Sequence, residues 1–418
     1  MTSREEVNIL TNILQLFALK YMNKYPSIDF KRILVSIREV IDEFKFKLRD
    51  LDNQFCLNAE LLKKHGLLKE KYYIYGAFLA AISSYPILYM VADEKTIKSA
   101  ILSKVAMVTS SKVLDNINDN LHNFQEAVKS QQKYQQALTR GYFYPDLGKN
   151  LKLVDKAENT TYVMACWVHQ LMTLKGGVFD TFNMFVNDVN ECIEGQIHSF
   201  YQRHEKYTPK IMNLSTFLRK TSTKSFGKIW VDIDFCFFEK SVGKLSKKEF
   251  KAIKLINQSI DLLFRALLFY DDVADLEEDI KSNLINSVIM LGLELEKISY
   301  EDLVENNFTL IRKIEEANLS RDTINFGDIL YLKGIDCLRK AKKYSHYIDI
   351  EALIFCARVL RMFLLRKFVL RKKSLKSLNV LFQSLNRFER LEVSIPSYLK
   401  ECYRLVLEEL VIQPKILA

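Results

Sequence analysis

Apolar residues recur at three- and four-residue spacing along almost the whole chain, the pattern of helices that bury one face. That period predicts helices near 4–23, 30–50, 70–92, 95–138, 158–186, 188–204, 209–224, 246–280, 283–297 and 300–318, with several more to the C-terminus. Strand-like alternation is confined to short pieces such as IWVDIDFCFF at 229–238. Breakers cluster in GYFYPDLGKN, 141–150, and KYTPK, 206–210, which read as loops. No long Gly-, Ser- or Pro-rich linker divides the chain, and no repeat period runs through it. The expectation is one all-α domain over 1–418, with a core roughly at 70–345 and helical additions at both ends.

Composition strengthens the helical reading. The 418 residues hold only 12 Gly and 6 Pro, with 49% hydrophobic and 27% charged residues, enough for one large core. The 7 Cys show no CxxC pair and no ladder of close spacings, so they read as reduced, mostly buried thiols. The opening MTSREEVNIL does not have the order of a secretory signal, and a cytoplasmic location is the expectation. Residues 72–92 carry no charge over a membrane span's length, yet five Tyr, two Ser, Gly76 and Pro86 favour a buried helix kinked near Pro86.

Charge adds a second feature. The net charge is +10, and the window 352–388 holds nine Lys or Arg and no acid, interleaved with Leu, Phe and Val. The plainer reading is a core helix with a solvated basic edge; the alternative is peripheral contact with an anionic membrane. Nucleic-acid binding explains the net charge but not the acidic cluster described next, and is set aside. The oligomeric state is left open, a homodimer included.

YDDVADLEEDI, 270–280, puts six carboxylates into eleven positions behind the apolar run LLFRALLFY. On a helix Asp271, Asp275 and Asp279 stand at i, i+4 and i+8 on one face, flanked by Asp272 and Glu278. A solvated acidic turn, with Glu277 and Glu278 paired to Lys281, is the bland alternative. Against it stands the burial that the preceding apolar run demands. A second acidic stretch, SKVLDNINDNLHNF at 111–124, has Asp115 and Asp119 at i, i+4, with Asn118 and His122 on the same side and Asn116 beside them. Stacked like charges repel unless a cation neutralises them, and hard oxygen donors on one face suit magnesium; two such helices could clamp two or three ions.

These residues resemble a known superfamily. DDVADLEED, 271–279, resembles the second aspartate-rich motif of trans-prenyl diphosphate synthases and, through Asp271, Asp275 and Asp279, the second metal triad of class I terpene synthases. DNIND, 115–119, resembles the first aspartate-rich motif. Between them Gly195-Gln196 resembles the GQ of prenyl synthases, and Lys220-Thr221, after Arg219, the Lys-Thr facing the diphosphate, with Ser222, Ser225 and Gly227 permitting a bend. The resemblance, to the class I isoprenoid synthase superfamily, spans Asp115 to Asp279 and leaves the flanks unplaced.

It implies a large antiparallel helical bundle around a deep apolar cavity, with the helices of Asp115 and Asp271 antiparallel and their carboxylates converging at its mouth. Asp115, Asp119, Asp271, Asp275 and Asp279 would hold the magnesium ions. Arg219, Lys220, Lys281 and Gln196 would bind the diphosphate, and Asp115, Asp271 and Lys220 would carry the catalytic step. Phe179 and Phe182, with Phe185, are candidates for the cavity wall, where aromatic faces stabilise a carbocation. The activity implied is a magnesium-dependent terpene synthase-like ionisation of a linear prenyl diphosphate, followed by cyclisation or rearrangement. The alternatives are a prenyl transferase, elongating or head-to-head, and a non-catalytic helical interaction protein. Two departures count against elongation: no GGKxxRP-like segment occurs, and no Arg pair follows the first motif, where Asn116 stands in place of a second Asp.

Overall fold

The computed structural model describes residues 20–21, 23–51, 55–145, 151–173, 179–202, 213–305, 307–371 and 404. Among them the regular elements are all helical, as the periodicity predicts. In order they are α1 (Phe30–Arg49), α2 (Ala59–Lys64), α3 (Glu70–Leu88), α4 (Glu94–Asn120), α5 (Phe124–Arg140), α6 (Leu153–Thr173), α7 (Asp180–Phe200) and α8 (Leu214–Arg219). A 3-10 turn (Thr221–Lys224) leads to α9 (Gly227–Val242), α10 (Lys247–Ala274), α11 (Leu276–Lys281) and α12 (Ser287–Glu294). Then follow α13 (Tyr300–Glu305), α14 (Asn307–Glu316), α15 (Leu319–Ala341) and α16 (Ile350–Arg371). The expected helix at 4–23, except residues 20, 21 and 23, and the loop at 206–210 lie outside the described residues.

Short polar side chains set the starts. Asp29, Asn58, Asp93, Asn213 and Asn286 each accept from a backbone N–H in the first turn of the helix that follows. Asn123 with Glu126, and Ser246 with Glu249, form reciprocal capping boxes. The first of these boxes corrects the reading of 95–138 as one helix, because it ends α4 and begins α5 within three residues. The second acidic stretch is corrected likewise. The helix read over 246–280 stops at Ala274, Asp275 N–H bonds the Asp271 carbonyl at 2.8 Å, and α11 begins afresh. Like charges packed at helical spacing weaken a helix at that point. Asp271, Asp275 and Asp279 are therefore not on one continuous helix, although backbone bonds from Asp275 N–H to the Asp271 carbonyl and from Asp279 N–H to the Asp275 carbonyl carry their spacing across the break.

IWVDIDFCFF also departs from its alternating pattern, since it lies inside α9. This helix packs against α3, α4, α7 and α10 and is buried on nearly every side, so it has no solvent face to impose a helical period. Around it stand the two acid-bearing helices, α4 and α10. Along α10 lies α15, close enough at Gly334 for Ser259 Oγ to donate to the Gly334 carbonyl at 2.6 Å.

α3 runs through Pro86 to Leu88 and is buried over most of its length, the expected alternative to a span. Among the described residues no helix is long and apolar enough to cross a membrane. The basic window starts on α16, where Arg361 turns inward and bonds Asp328 at 2.8 Å; from 372 to 388 it lies outside the described residues.

Candidate active site

Asp115 lies in the penultimate turn of α4, half-buried, with Lys112 Nζ at 3.3 Å on the same helix. Asp115 first, and then Asp271, hold the Lys112 ammonium above its ordinary range, although its side chain is 54% exposed. One ammonium thus feels both acidic stretches, although they stand on different helices. The charge of Asp115 also reaches Tyr134 on α5 and Cys192 on α7, whose hydroxyl and thiol are pushed up mainly by burial. Asp119 is exposed in the last turn. Asn116 is turned to structure, its amide donating to the Leu67 carbonyl at 2.8 Å and to Tyr72 Oη at 3.2 Å. His122 bonds Glu158 Oε1 on α6 at 3.0 Å and lies 3.5 Å from Glu126.

The second stretch divides around its helix break. Asp271 is exposed, and its charge reaches Lys112. Asp272 accepts from Ser287 N–H at 2.9 Å, and Asn286 donates to the Asp272 carbonyl at 3.0 Å and to Asp279 Oδ2 at 2.8 Å. Asp279 is pushed up to about 7 by burial and by its neighbours Asp272 and Asp275, with Asn286 and Lys224 working against them. Burial likewise raises Asp272, which Lys224 opposes.

Lys224 is therefore a cation whose charge falls on Asp272 and Asp279. It ends the 3-10 turn, its ammonium 3.4 Å from Gln202 Oε1. Gly195 makes the position possible, because a Cβ there would fall on the Lys224 amide and on Thr223. Gln196 beside it donates to the Lys224 carbonyl at 3.4 Å. The Gly-Gln pair packs the turn rather than reaching outward. Lys220 is exposed, and its charge adds to burial in holding His198 down. Arg219 donates to Ser215 Oγ at 2.8 Å and 3.2 Å, and Lys281 is exposed at the end of α11.

The donor chemistry of Asp271, Asp272, Asp275 and Asp279 suits a hard divalent cation. They are crowded carboxylates whose mutual repulsion Lys224 and hydrogen bonds from Asn286 and Ser287 oppose at Asp272 and Asp279. Among the described residues no three His, Cys, Asp or Glu side chains stand close enough to hold an ion as they are, so binding requires the carboxylates to turn toward a common point.

Phe179 caps α7, and Phe182 stacks on Phe185 with ring centroids 5.8 Å apart and meets His169 edge-on at 5.4 Å. They stand toward the opposite end of α7 from Gly195, roughly 15–24 Å away by helical rise.

Between the two ends lies a charged network that periodicity alone does not reveal. Lys228 on α9 reaches Glu191 Oε2 at 2.6 Å and Asp188 Oδ1 at 3.6 Å, both on α7. Arg265 on α10 bonds Asp261 Oδ2 at 2.9 Å, approaches Glu191 Oε1 at 3.7 Å, and donates to Ser222 Oγ at 2.8 Å in the turn that carries Lys224. Asn257 bridges Asp188 at 3.0 Å and Asp232 at 2.7 Å. Burial, with Asp188 next to it, pushes the Asp232 carboxyl well up, which Asn257 and Lys228 oppose. The signal was present as i, i+4 pairs inside apolar runs, Lys228 with Asp232 and Asp261 with Arg265.

No protein-family model matches the chain, and no curated protein matches it. Solved structures are similar to it in outline. Farnesyl diphosphate synthase of T. brucei is 13% identical over 79% of this chain and 97% of its own, with a TM-score of 0.47. Linalool/nerolidol synthase from Streptomyces clavuligerus is 12% identical over 78% of this chain and 96% of its own, with a TM-score of 0.44. An α-eudesmol synthase is 8% identical over 79% and 94%, with a TM-score of 0.42. Likenesses of this order assign no residue and no activity to the chain.

Proposed function

We propose that the protein is a magnesium-dependent enzyme of the class I isoprenoid synthase type, which ionises a linear prenyl diphosphate and lets the carbocation cyclise or rearrange. The observation that carries this reading is that the Lys112 ammonium, 3.3 Å from Asp115, also feels the charge of Asp271 on another helix. Two acidic stretches that serve one site would share such a cation. Bound magnesium would neutralise the departing diphosphate. Asp271, Asp275 and Asp279 would hold it from one side and Asp115 from the other, with Asp119 at the rim. Lys224 and Lys112 would grip the phosphate oxygens as charge-assisted donors. Asn286 and Ser287 fix the carboxyls of Asp279 and Asp272 in place. Prenyl transfer is the second reading, and nothing in the geometry favours it.

Magnesium with inorganic diphosphate should raise the melting temperature of the wild type and of Glu277→Ala, whose exposed side chain lies off the group, but not of Asp271→Ala or Asp275→Ala. Incubation with prenyl diphosphates and product analysis by mass spectrometry completes the test. No stabilisation in the wild type, or equal stabilisation of all four proteins, sinks the reading.

A further inference from the structure

We propose that Arg265 is a positioning residue: from α10 it grips the turn that carries Lys224 and so sets where that ammonium stands relative to the acidic group. The inference deepens the reading above and rests on it.

Register is the first support. The stretch from α8 to the start of α9 lies against α10 and runs antiparallel to it. Phe217 meets Phe269 edge-on with ring centroids 6.2 Å apart, and a Cβ on Gly227 would fall on Phe264 and on the Ile260 carbonyl. Arg265 works between these two contacts, donating from one guanidinium nitrogen to Ser222 Oγ at 2.8 Å and to the Leu218 carbonyl at 3.3 Å. Ser222 Oγ donates to the same carbonyl, which lies in the last turn of α8, where helical donors run out. On α10 Asp272 follows Arg265 by seven residues, so the two share a face roughly 10 Å apart. The turn is thus fastened to the face that carries Asp272. Lys224, two residues after Ser222, sends its charge to Asp272 and Asp279.

Chemistry is the second. The side chain of Arg265 is only 6% exposed, and its Nε donates to Asp261 Oδ2 at 2.9 Å, one helical turn earlier. A second edge of the guanidinium lies 3.7 Å from Glu191 Oε1 on α7. Asp261 therefore holds the guanidinium plane while its other nitrogens face the turn. Burying a charge is costly, and an apolar side chain would join α8 to α10 without that cost, as Phe269 already does. What a guanidinium adds is direction, because its donors leave at fixed angles. From the other side α7 closes on the turn: Thr223 Oγ1 donates to the Glu191 carbonyl at 3.3 Å, and Gly195 admits the Lys224 amide. Held from both sides, the turn has one seat, from which the Lys224 ammonium reaches Gln202 Oε1 at 3.4 Å. Without Arg265 the polar tie to α10 is gone, and the starting point of that reach is no longer fixed.

The test is a double-variant cycle, read by isothermal titration of inorganic diphosphate in the presence of magnesium, on wild type, Arg265→Met, Lys224→Ala and the two combined. Because Arg265 acts through Lys224, Arg265→Met should weaken binding at least about fivefold when Lys224 is present and less than about twofold when it is absent. Ser222→Ala removes the acceptor on the turn and leaves Arg265 with Asp261. It should show the same dependence on Lys224, and it decides alone if Arg265→Met does not fold. Equal losses with and without Lys224, as a merely structural role would give, or no loss in either, overturn the positioning role and leave the diphosphate reading standing. Unchanged binding by Lys224→Ala overturns it in the same way. No binding by the wild type removes the diphosphate reading and the positioning role with it.

Discussion

One helical turn separates Lys220 from Lys224, and that turn decides which ammonium meets the acids. Lys220 caps α8 and is exposed, whereas Lys224 closes the 3-10 turn that Gly195 admits against α7, and its charge falls on Asp272 and Asp279. The Lys-Thr pair at 220–221 resembled the diphosphate-facing motif by its letters. Lys224, at the place where α7 presses on the turn, is the residue of this stretch whose charge falls on Asp272 and Asp279. Lys224→Ala should weaken binding of inorganic diphosphate in the presence of magnesium by roughly 10- to 100-fold, the worth of one charge-assisted hydrogen bond. Lys220→Ala should stay near wild type. Isothermal titration of the two variants measures both, and a larger loss for Lys220→Ala would return the role to that residue.

Between elements, the junction of α4 and α5 shows what periodicity carries and what it misses. The apolar rhythm of 95–138 is unbroken, so one helix is the natural reading; Asn123 and Glu126 break it because their reciprocal hydrogen bonds satisfy the free N–H groups of a new helix. Helix type was legible almost throughout, since it depends on local spacing. The breaks at Asn123 and Asp275, and the helical state of IWVDIDFCFF, depend on side-chain partners and on burial from every side, which no window of sequence contains. His122 at the first junction ties α4 and α5 to α6. Its hydrogen bond to Glu158 raises its pKa above 6.5, with the charges of Glu158 and Glu126 adding and burial opposing. A raised folded-state pKa stabilises fully below 6.5 and loses that contribution as pH rises through the folded value. The difference in melting temperature between wild type and His122→Gln should therefore be larger at about pH 5.5 than at about pH 8.5. Equal differences at both, by thermal denaturation, would mean that the imidazolium contributes nothing.

At the scale of the whole molecule, buried ion pairs join helices that lie far apart in sequence, and these were the least legible feature of all. The acidic stretches announced themselves by density; a single Lys or Arg inside an apolar run did not. Arg361 on α16 reaches Asp328 on α15 at 2.8 Å, and Tyr270 donates to the same carboxylate at 2.5 Å, which anchors the residue just before Asp271. Lys104 on α4 meets Asp234 on α9 with both side chains 0% exposed, and Ser83, Ser84 and the Trp230 ring complete its surroundings. This pair fixes the central helix to the one that carries Asp115, on the side away from the network of Asp232. Removing one partner leaves the other charge buried without compensation, so Lys104→Met should destabilise the fold by about 3–5 kcal/mol. Replacing both with apolar groups removes the uncompensated charge, and Lys104→Met/Asp234→Leu should recover most of that loss. Denaturant unfolding of wild type, both single variants and the double gives the coupling energy directly. Additive losses would show that the two residues act independently, and that α9 is held to α4 by apolar packing alone.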